Sequence, residues 1–227
     1  MPMFSDEEIL NATKSLNRQA ATAIDGYTKD LLLQAFEQDA SIISLFGTLL
    51  HWILTTNMSH TIRRILLLNR GVAIPKMDGG VRPICVSSTL LKIIGVIAMK
   101  RDGAPPSAIQ MAIGVKEGHV RIAHRVREHV ETHESSAVIR VDISNAFGNM
   151  PRTLIHSMLQ NREETLKQYY RLVYGTDSDI AIYPGNGDKP YIHTSNVGVK
   201  QGDSTSSMST NANQKYFHIR RIQSHCR

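Results

Sequence analysis

The sequence predicts an α+β protein whose first part is helical and whose later part contributes strands to a sheet. Apolar residues recur at helical spacing through the first 55 residues. Two β-branched runs, at 72–74 and 81–86, then enclose a glycine-rich turn, which is typical of a β-hairpin. Strand-like runs return after residue 137, between further helical segments. We therefore expect one mixed α and β globular fold.

Three helices are predicted in the helical front. Ser5 followed by Glu8 forms a capping-box pattern, and apolar residues share one face of the segment that follows. The pair Asp25-Gly26 predicts a turn before a second helix. The third segment, residues 39–55, is apolar on most faces, so we expect it to be buried.

Two further helices are predicted around a proline-containing loop. Residues 90–101 have helical character, and the prolines within 103–106 end that segment. Residues 120–133 alternate apolar side chains with Arg and His at helical spacing. We therefore expect one face of this helix in the core and the other face to be basic.

The remaining elements follow in the order strand, helix, helix, hairpin. Residues 137–142 are strand-like, and Pro151 opens the next helix in its first turn. Residues 163–174 predict a helix that ends at Gly175. Two short apolar runs within 180–192 enclose a Pro-Gly turn, which predicts a second hairpin.

Composition limits the class of protein. The chain has 26 Lys and Arg against 20 Asp and Glu, and the net charge of +6 favours a polyanionic partner without requiring one. Cys85 and Cys226 have no metal-site spacing, which fits a reducing compartment, cytoplasmic or nuclear. The acidic start, residues 1–8, does not resemble a secretion signal. The longest apolar stretches fall short of the roughly 20 residues of a membrane span.

The first candidate for chemistry is Asp142, which ends the predicted strand. A carboxylate held at the end of a buried strand can ligate a hard cation such as Mg²⁺. The same residue type also commonly caps the turn or helix that follows a strand. The residue alone leaves both readings open.

Two further patterns lie near glycine-rich turns. Lys76 and Arg82 flank the hairpin turn, where two cations could hold a triphosphate, although solvated surface charges have the same pattern. The triplet Gln201-Gly202-Asp203 places a long amide beside a glycine that allows close approach, although a plain surface turn explains it equally well.

Taken together, the patterns resemble the fingers-to-palm motif series of reverse transcriptases of the non-LTR retrotransposon and group II intron type. The order and spacing carry the resemblance, because each piece alone is short. The matching segments are 23–26, 74–84, 110–118, 142–147 and 201–203, so the resemblance covers about residues 20–210. It implies the fingers hairpin and a partial palm sheet of a right-hand polymerase.

The resemblance assigns nucleotide-binding roles to five residues. Arg82 matches the cation of the fingers that contacts the triphosphate, and Lys76 would assist it. Phe147 matches the bulky residue that lies under the incoming sugar and excludes a 2′-hydroxyl. Gln201 matches the glutamine beside the base and sugar, and Gly202 the glycine behind it. The implied substrate is a deoxynucleoside triphosphate.

The resemblance also implies a metal site and nucleic-acid partners. Asp142 matches the first metal-binding aspartate, with the Ile143 carbonyl as a second ligand for Mg²⁺ in two-metal nucleotidyl transfer. An RNA template and a DNA primer would be held through their backbones by basic side chains. Arg121, Arg125 and Arg127 are the candidates for that contact, and a solvated helix face is the alternative for each of them.

The chain departs from the family after Gln201. The expected pair of adjacent aspartates does not occur among the residues that follow, and residues 177–179 are no substitute because they precede the glutamine motif. One carboxylate cannot fix two metals about 4 Å apart, so we expect no polymerase activity from this chain alone. A shortened or shifted reading frame, or a partner that supplies the missing segment, would account for the departure.

The expected organisation is a helical N-terminal region with fingers in residues 1–135, a partial palm in 136–210 and a divergent tail in 211–227. A palm without its central hairpin would expose a strand edge, so low solubility is expected. Two other readings remain: a non-catalytic nucleic-acid-binding protein derived from a retroelement, and a globular protein whose motif matches are coincidental.

Overall fold

The computed structural model describes residues 3–18, 22–77, 79–103, 115–133, 135–139, 145–185 and 187–205. The chain divides into two compact units. The first unit comprises Met1–Gly103 and Phe147–Ser207, and the second comprises Ala104–Ala146 and Met208–Arg227.

The described residues form eight helices and a four-stranded sheet, so the protein is of mixed α and β class, as the sequence predicts. In chain order the elements are α1 (Asp6–Ser15), α2 (Lys29–Gln38), α3 (Ser41–Thr55), α4 (His60–Leu66), β1 (Asn69–Pro75), β2 (Val81–Val86), α5 (Thr89–Asp102), α6 (Gly118–Thr132), α7 (Arg152–Met158), α8 (Glu164–Tyr174), β3 (Ser178–Ile182) and β4 (Tyr191–Ser195).

Helix α1 begins at the predicted capping box. The Ser5 side chain accepts a hydrogen bond from the Glu8 amide, and the Glu8 carboxylate accepts one from the Ser5 amide. The same carboxylate receives two hydrogen bonds from the Arg101 guanidinium on α5, at 2.6 and 2.8 Å. These hydrogen bonds, of which the one from Arg101 has the largest effect, hold the pKa of Glu8 below its usual value. The cap of α1 therefore also joins α1 to α5.

The predicted turn at Asp25-Gly26 has a tertiary role. The Asp25 carboxylate accepts hydrogen bonds from the Ser88 hydroxyl at 2.7 Å and from the Thr89 amide at 2.6 Å. Since Ser88 makes no side-chain cap of its own, Asp25 satisfies the first turn of α5 from 63 positions away in the chain. The pattern predicted the turn but not this contact.

Helix α3 is less buried than predicted. Its inner face is covered, with Leu50 fully buried, but Leu45 is 68% exposed and Trp52 is 46% exposed. The expectation that this segment is buried is confirmed for the inner face only, because apolar composition does not show how many neighbours a helix has. Within the described residues no single helix is long and apolar enough to cross a bilayer. Helices α3 and α4 together reach that length and composition, but they are bent by 120°.

The sheet has the strand order β2-β1-β3-β4. Strands β1 and β2 form the predicted hairpin, and β3 and β4 form the second one. Strand β1 pairs in parallel with β3, with Asn69 opposite Ile180. Pro83, which has no amide hydrogen, lies in the outer strand β2, where a missing donor is tolerated. The sheet thus contains two strands that precede residue 135 and two that follow it. The boundary expected at residue 135, between the fingers and the partial palm, stays a prediction.

Helices α5 and α8 pack against each other and supply much of the core. Ile93, Ile94 and Ile97 on α5 are fully buried, as are Leu166 and Tyr170 on α8. Both helices agree with the predicted segments, and Gly175 follows α8 as expected, although its φ of −73° is an ordinary right-handed value. Pro151 lies one position before α7 instead of inside its first turn.

In the second unit, α6 confirms the predicted helix but not its predicted burial. Gly118 is its one buried residue, and the apolar side chains Val120, Ile122, Val126 and Val130 are 38–44% exposed. The expectation that one face lies in the core is therefore wrong. The predicted strand at 137–142 is not found in residues 135–139, and the rest of that segment lies outside the described residues.

Candidate functional site

The β1–β2 hairpin carries both predicted triphosphate cations. Lys76 and Arg82 line a cleft of about 420 Å³ together with Ile74, Pro75 and Met77. The turn closes through a hydrogen bond of 2.8 Å from the Lys76 amide to the Gly80 carbonyl. Both cationic side chains are exposed, so an anion could reach them from solvent.

The glutamine loop, residues 198–205, docks on the base of this hairpin. The Cys85 amide of β2 donates a hydrogen bond of 2.8 Å to the Gln201 carbonyl. A side chain at position 202 would place its first carbon 2.6 Å from the Cys85 carbonyl and 3.3 Å from Ile84, and the φ of Gly202 is +110°. Only glycine fits there. Because Arg82 and Ile84 lie two positions apart on one strand, the loop contacts the face of β2 that carries Arg82.

Phe147 lies beside the same loop. The Val199 amide donates to the Phe147 carbonyl at 2.8 Å, and the Gly198 amide donates to the Met150 carbonyl at 3.1 Å. Gly198 has a φ of +66°, and a side chain at this position would collide with the carbonyls of residues 147 and 148. The structure therefore places the glutamine motif against β2, the strand that carries Arg82, and the backbone of Phe147 against the same loop, while the cleft lined by Lys76 and Arg82 includes neither Gln201 nor Phe147.

A buried hydrogen-bond network supports the loop from beneath, and its centre is Asp203. The Asp203 carboxylate accepts hydrogen bonds from the Tyr174 hydroxyl at 2.7 Å and from the Tyr169 hydroxyl at 3.2 Å. It also accepts from the amide of Thr205 at 2.8 Å and from its hydroxyl at 2.9 Å. Burial and the adjacent carboxylate raise the pKa of both tyrosines well above the usual value. Sequence reasoning noted Asp203 as part of a triplet and missed this network.

Lys200 lies on the same buried side of the loop. Its ammonium is 5.5 Å from the centre of the Tyr174 ring, and the side chain is almost fully buried. Burial lowers the pKa of Lys200 to about 8, and the Asp203 carboxylate limits the decrease. Residues 198–200 of the loop are all buried, and residue 203 is buried again, so Lys200 and Asp203 both face inward.

Arg152, at the start of α7, fixes the other end of the loop. Its guanidinium donates to the Gly198 carbonyl at 3.1 Å and to the Ser195 carbonyl at 3.0 Å, and it lies over the Tyr174 ring at 5.5 Å. No sequence pattern predicted the role of this residue, because its partners lie 24 to 46 positions away in the chain.

The predicted metal ligands Asp142 and Ile143 lie outside the described residues. Within the described part of the chain, no group of three or more His, Cys, Asp or Glu side chains is placed to hold a metal ion. Asp179, in the segment rejected as a substitute motif, pairs with Arg64 at 2.6 Å and accepts from Thr194 at 3.2 Å. Ser178 and Asp179 lie in β3, so the first strand of the predicted second hairpin begins two residues before position 180.

The predicted nucleic-acid contacts lie in the second unit. Arg121, Arg125 and Arg127 belong to α6, and all three residues are exposed. Residues 121 and 125 are four positions apart and share one helix face, whereas residue 127 projects from a different side.

Comparison with known proteins adds no family: no protein-family model matches the chain, and no curated protein is significantly similar to it in sequence.

Proposed function

We propose that the first unit carries the nucleotide-binding face of a polymerase of the reverse transcriptase type, built from the β1–β2 hairpin and the glutamine loop. The observation that carries the proposal is the 2.8 Å hydrogen bond between the Cys85 amide and the Gln201 carbonyl. This bond joins two motifs that are more than 100 residues apart in sequence, and it supports the proposal because it makes them neighbours.

Each residue of this face has a chemical role in the proposal. Arg82 makes bidentate hydrogen bonds to phosphate oxygens, and Lys76 supplies a compact positive charge to the same triphosphate. Gln201 contacts the base or sugar, while Gly202 lets the loop approach β2 closely. Phe147 lies under the sugar and disfavours a 2′-hydroxyl, so the substrate would be a deoxynucleoside triphosphate.

The residues present do not complete the metal site that the proposed family uses. A two-metal centre needs carboxylates from more than one chain segment. Here the carboxylates of Asp203 and Asp179 are already held by tyrosine, threonine and arginine side chains. Asp142 and the Ile143 carbonyl supply oxygen ligands of the kind Mg²⁺ prefers, but from one segment only. We therefore expect these 227 residues to bind nucleotide without extending a primer.

The test is calorimetric titration of the whole chain with dTTP in Mg²⁺-containing buffer. Arg82→Ala should weaken binding about tenfold or more, because a charge-assisted hydrogen bond contributes about 1.5–3 kcal/mol. Arg18→Ala is the matched control, since this exposed arginine pairs with Asp30 and does not line the cleft. Equal affinities of the Arg82 and Arg18 variants would contradict the proposal.

Helix α6 supports a second candidate, nucleic-acid binding without catalysis. Its arginines are exposed, and its apolar residues are not packed in a core. RNA binding that weakens steeply with salt, and that is reduced by joint Arg→Gln changes at 121, 125 and 127, is the expected result. Primer extension on an RNA template, abolished by Asp142→Ala, would instead show that the chain is catalytic.

A further inference from the structure

The end of α6 carries a pair of histidines that the proposed polymerase function does not use. His129 lies in the last turn of α6, and His133 is the C-cap residue that follows the helix, with an extended backbone (φ −131°). Their rings stack with centroids 4.3 Å apart and planes inclined by 22°. Two imidazoles held side by side at a helix end are a potential chelate.

The hydrogen bonds around His133 determine which ring nitrogen carries the proton. Its Nδ1 lies 3.1 Å from the His129 carbonyl, which can only accept, and 2.8 Å from the Thr132 hydroxyl. That hydroxyl already donates its hydrogen to the Glu128 carbonyl at 2.7 Å, so its oxygen accepts. Nδ1 therefore carries the hydrogen, and Nε2 keeps its lone pair.

The hydrogen bonds at Nδ1 of His133 are of the kind that metal-binding histidines make. A ligating imidazole donates its second ring N–H to a carbonyl or hydroxyl oxygen, which fixes its orientation and increases its basicity. Two bonds of about 2.0–2.1 Å at a tetrahedral Zn²⁺ separate the nitrogens by about 3.3 Å. The two rings are close enough to reach that separation, but their planes are inclined by only 22°, so one exposed ring must rotate before the two lone pairs converge on one ion.

We propose that His129 and His133 form a binding site for a borderline transition-metal ion of the Zn²⁺, Cu²⁺ or Ni²⁺ class. Imidazole favours these ions over Mg²⁺, which prefers oxygen ligands. The remaining coordination positions are open to water or to donor groups of another molecule. The site lies in the second unit and does not depend on nucleotide binding, so it can fail or succeed independently of the proposed polymerase face.

The test uses the whole chain and Cu²⁺, whose electron paramagnetic resonance spectrum reports the number of bound imidazole nitrogens. The wild type should show two nitrogens, and His129→Ala or His133→Ala should show fewer and bind at least about tenfold more weakly. His119→Ala and His124→Ala, exposed on the same helix, are the matched controls and should leave affinity unchanged. Equal losses in controls and pair variants would overturn the proposal.

A second measurement distinguishes the loss of a metal ligand from unfolding of the end of α6. Nitrogen-15 NMR of the metal-free wild type should show His133 protonated at Nδ1, and Thr132→Ser, which keeps the hydroxyl, should preserve that state and the Cu²⁺ affinity. Thr132→Val, which keeps the shape of the side chain, should weaken Cu²⁺ binding. A wild-type His133 protonated at Nε2 would refute the proposal without any substitution.

Discussion

The glutamine loop and the β1–β2 hairpin touch at Cys85, yet they are constructed differently. Beneath the loop, Asp203, Lys200 and the tyrosines of α8 are buried and joined by hydrogen bonds. The hairpin becomes exposed toward its turn, where Met77 is fully accessible to solvent. The difference indicates that the buried network sets the stability of this region, while the exposed hairpin is free to contact a ligand. Substitutions should separate the two roles.

The largest effect is expected for Asp203→Ala. The change removes the acceptor for four buried donors, which are the Tyr169 and Tyr174 hydroxyls and the amide and hydroxyl of Thr205. Each unsatisfied buried group costs about 1–3 kcal/mol, so urea unfolding should show a loss of at least about 4 kcal/mol. The control Asp30→Ala breaks an exposed ion pair with Arg18 and should cost less than about 1 kcal/mol. Similar losses would show that the network does not support the loop.

A smaller effect should appear as a pH dependence of stability that requires Lys200. The folded chain releases this proton near pH 8, whereas an unfolded lysine, with an ordinary pKa of 10.5, keeps it. Above pH 8 the unfolded state therefore binds more protons, and the free energy of unfolding rises with pH. The window from pH 8 to 9 lies below the ordinary pKa of the tyrosines, but the raised pKa of Cys85 already acts in the opposite direction within it, so a comparison with a Lys200 variant is needed.

Unfolding measured at pH 8 and pH 9, for wild type and Lys200→Met, tests this expectation. The difference between the two slopes should be positive and at most about 1.4 kcal/mol per pH unit. Taking the difference between the two slopes removes the contributions of the titrating groups that the two proteins have in common. Parallel pH dependence in both proteins would mean that burial does not lower the pKa of Lys200.

The smallest effect on stability is expected at the hairpin. Lys76→Ala and Arg82→Ala remove exposed side chains, so each should change the free energy of unfolding by no more than about 0.5 kcal/mol. Chemical denaturation of both variants checks this. A loss well above 1 kcal/mol would show that these cations have a structural role, and would weaken their assignment as ligand contacts.

The local parts of the fold could be predicted, because their signals lie within a few residues. The capping box at Ser5, the turn at Gly79 and the apolar periodicity of α5 and α8 each specify one element. Helix α4 was missed, because its seven residues run into the apolar stretch before β1, and its cap is a single hydrogen bond from the Ile62 amide to Ser59. The parallel pairing of β1 with β3 leaves no local signal.

Of the candidate site, the sequence predicted the motif residues but not the buried residues that support them. Lys76, Arg82 and Gln201 belong to short motifs whose order could be recognised. Asp203, Lys200 and Arg152 act through partners that are distant in sequence, so no spacing reveals them. Helix α6 shows another limit of the sequence. Helical periodicity identifies its apolar face, but it does not show whether other residues cover that face.

The central claim is that the hairpin and the glutamine loop bind one ligand together. A double-mutant cycle on dTTP affinity, with Arg82→Ala, Gln201→Ala and the double variant, tests it most directly. If both residues contact the same nucleotide, the two losses should be non-additive, with a coupling of about 0.5–3 kcal/mol. Strictly additive losses, or no loss from either change, would contradict the account.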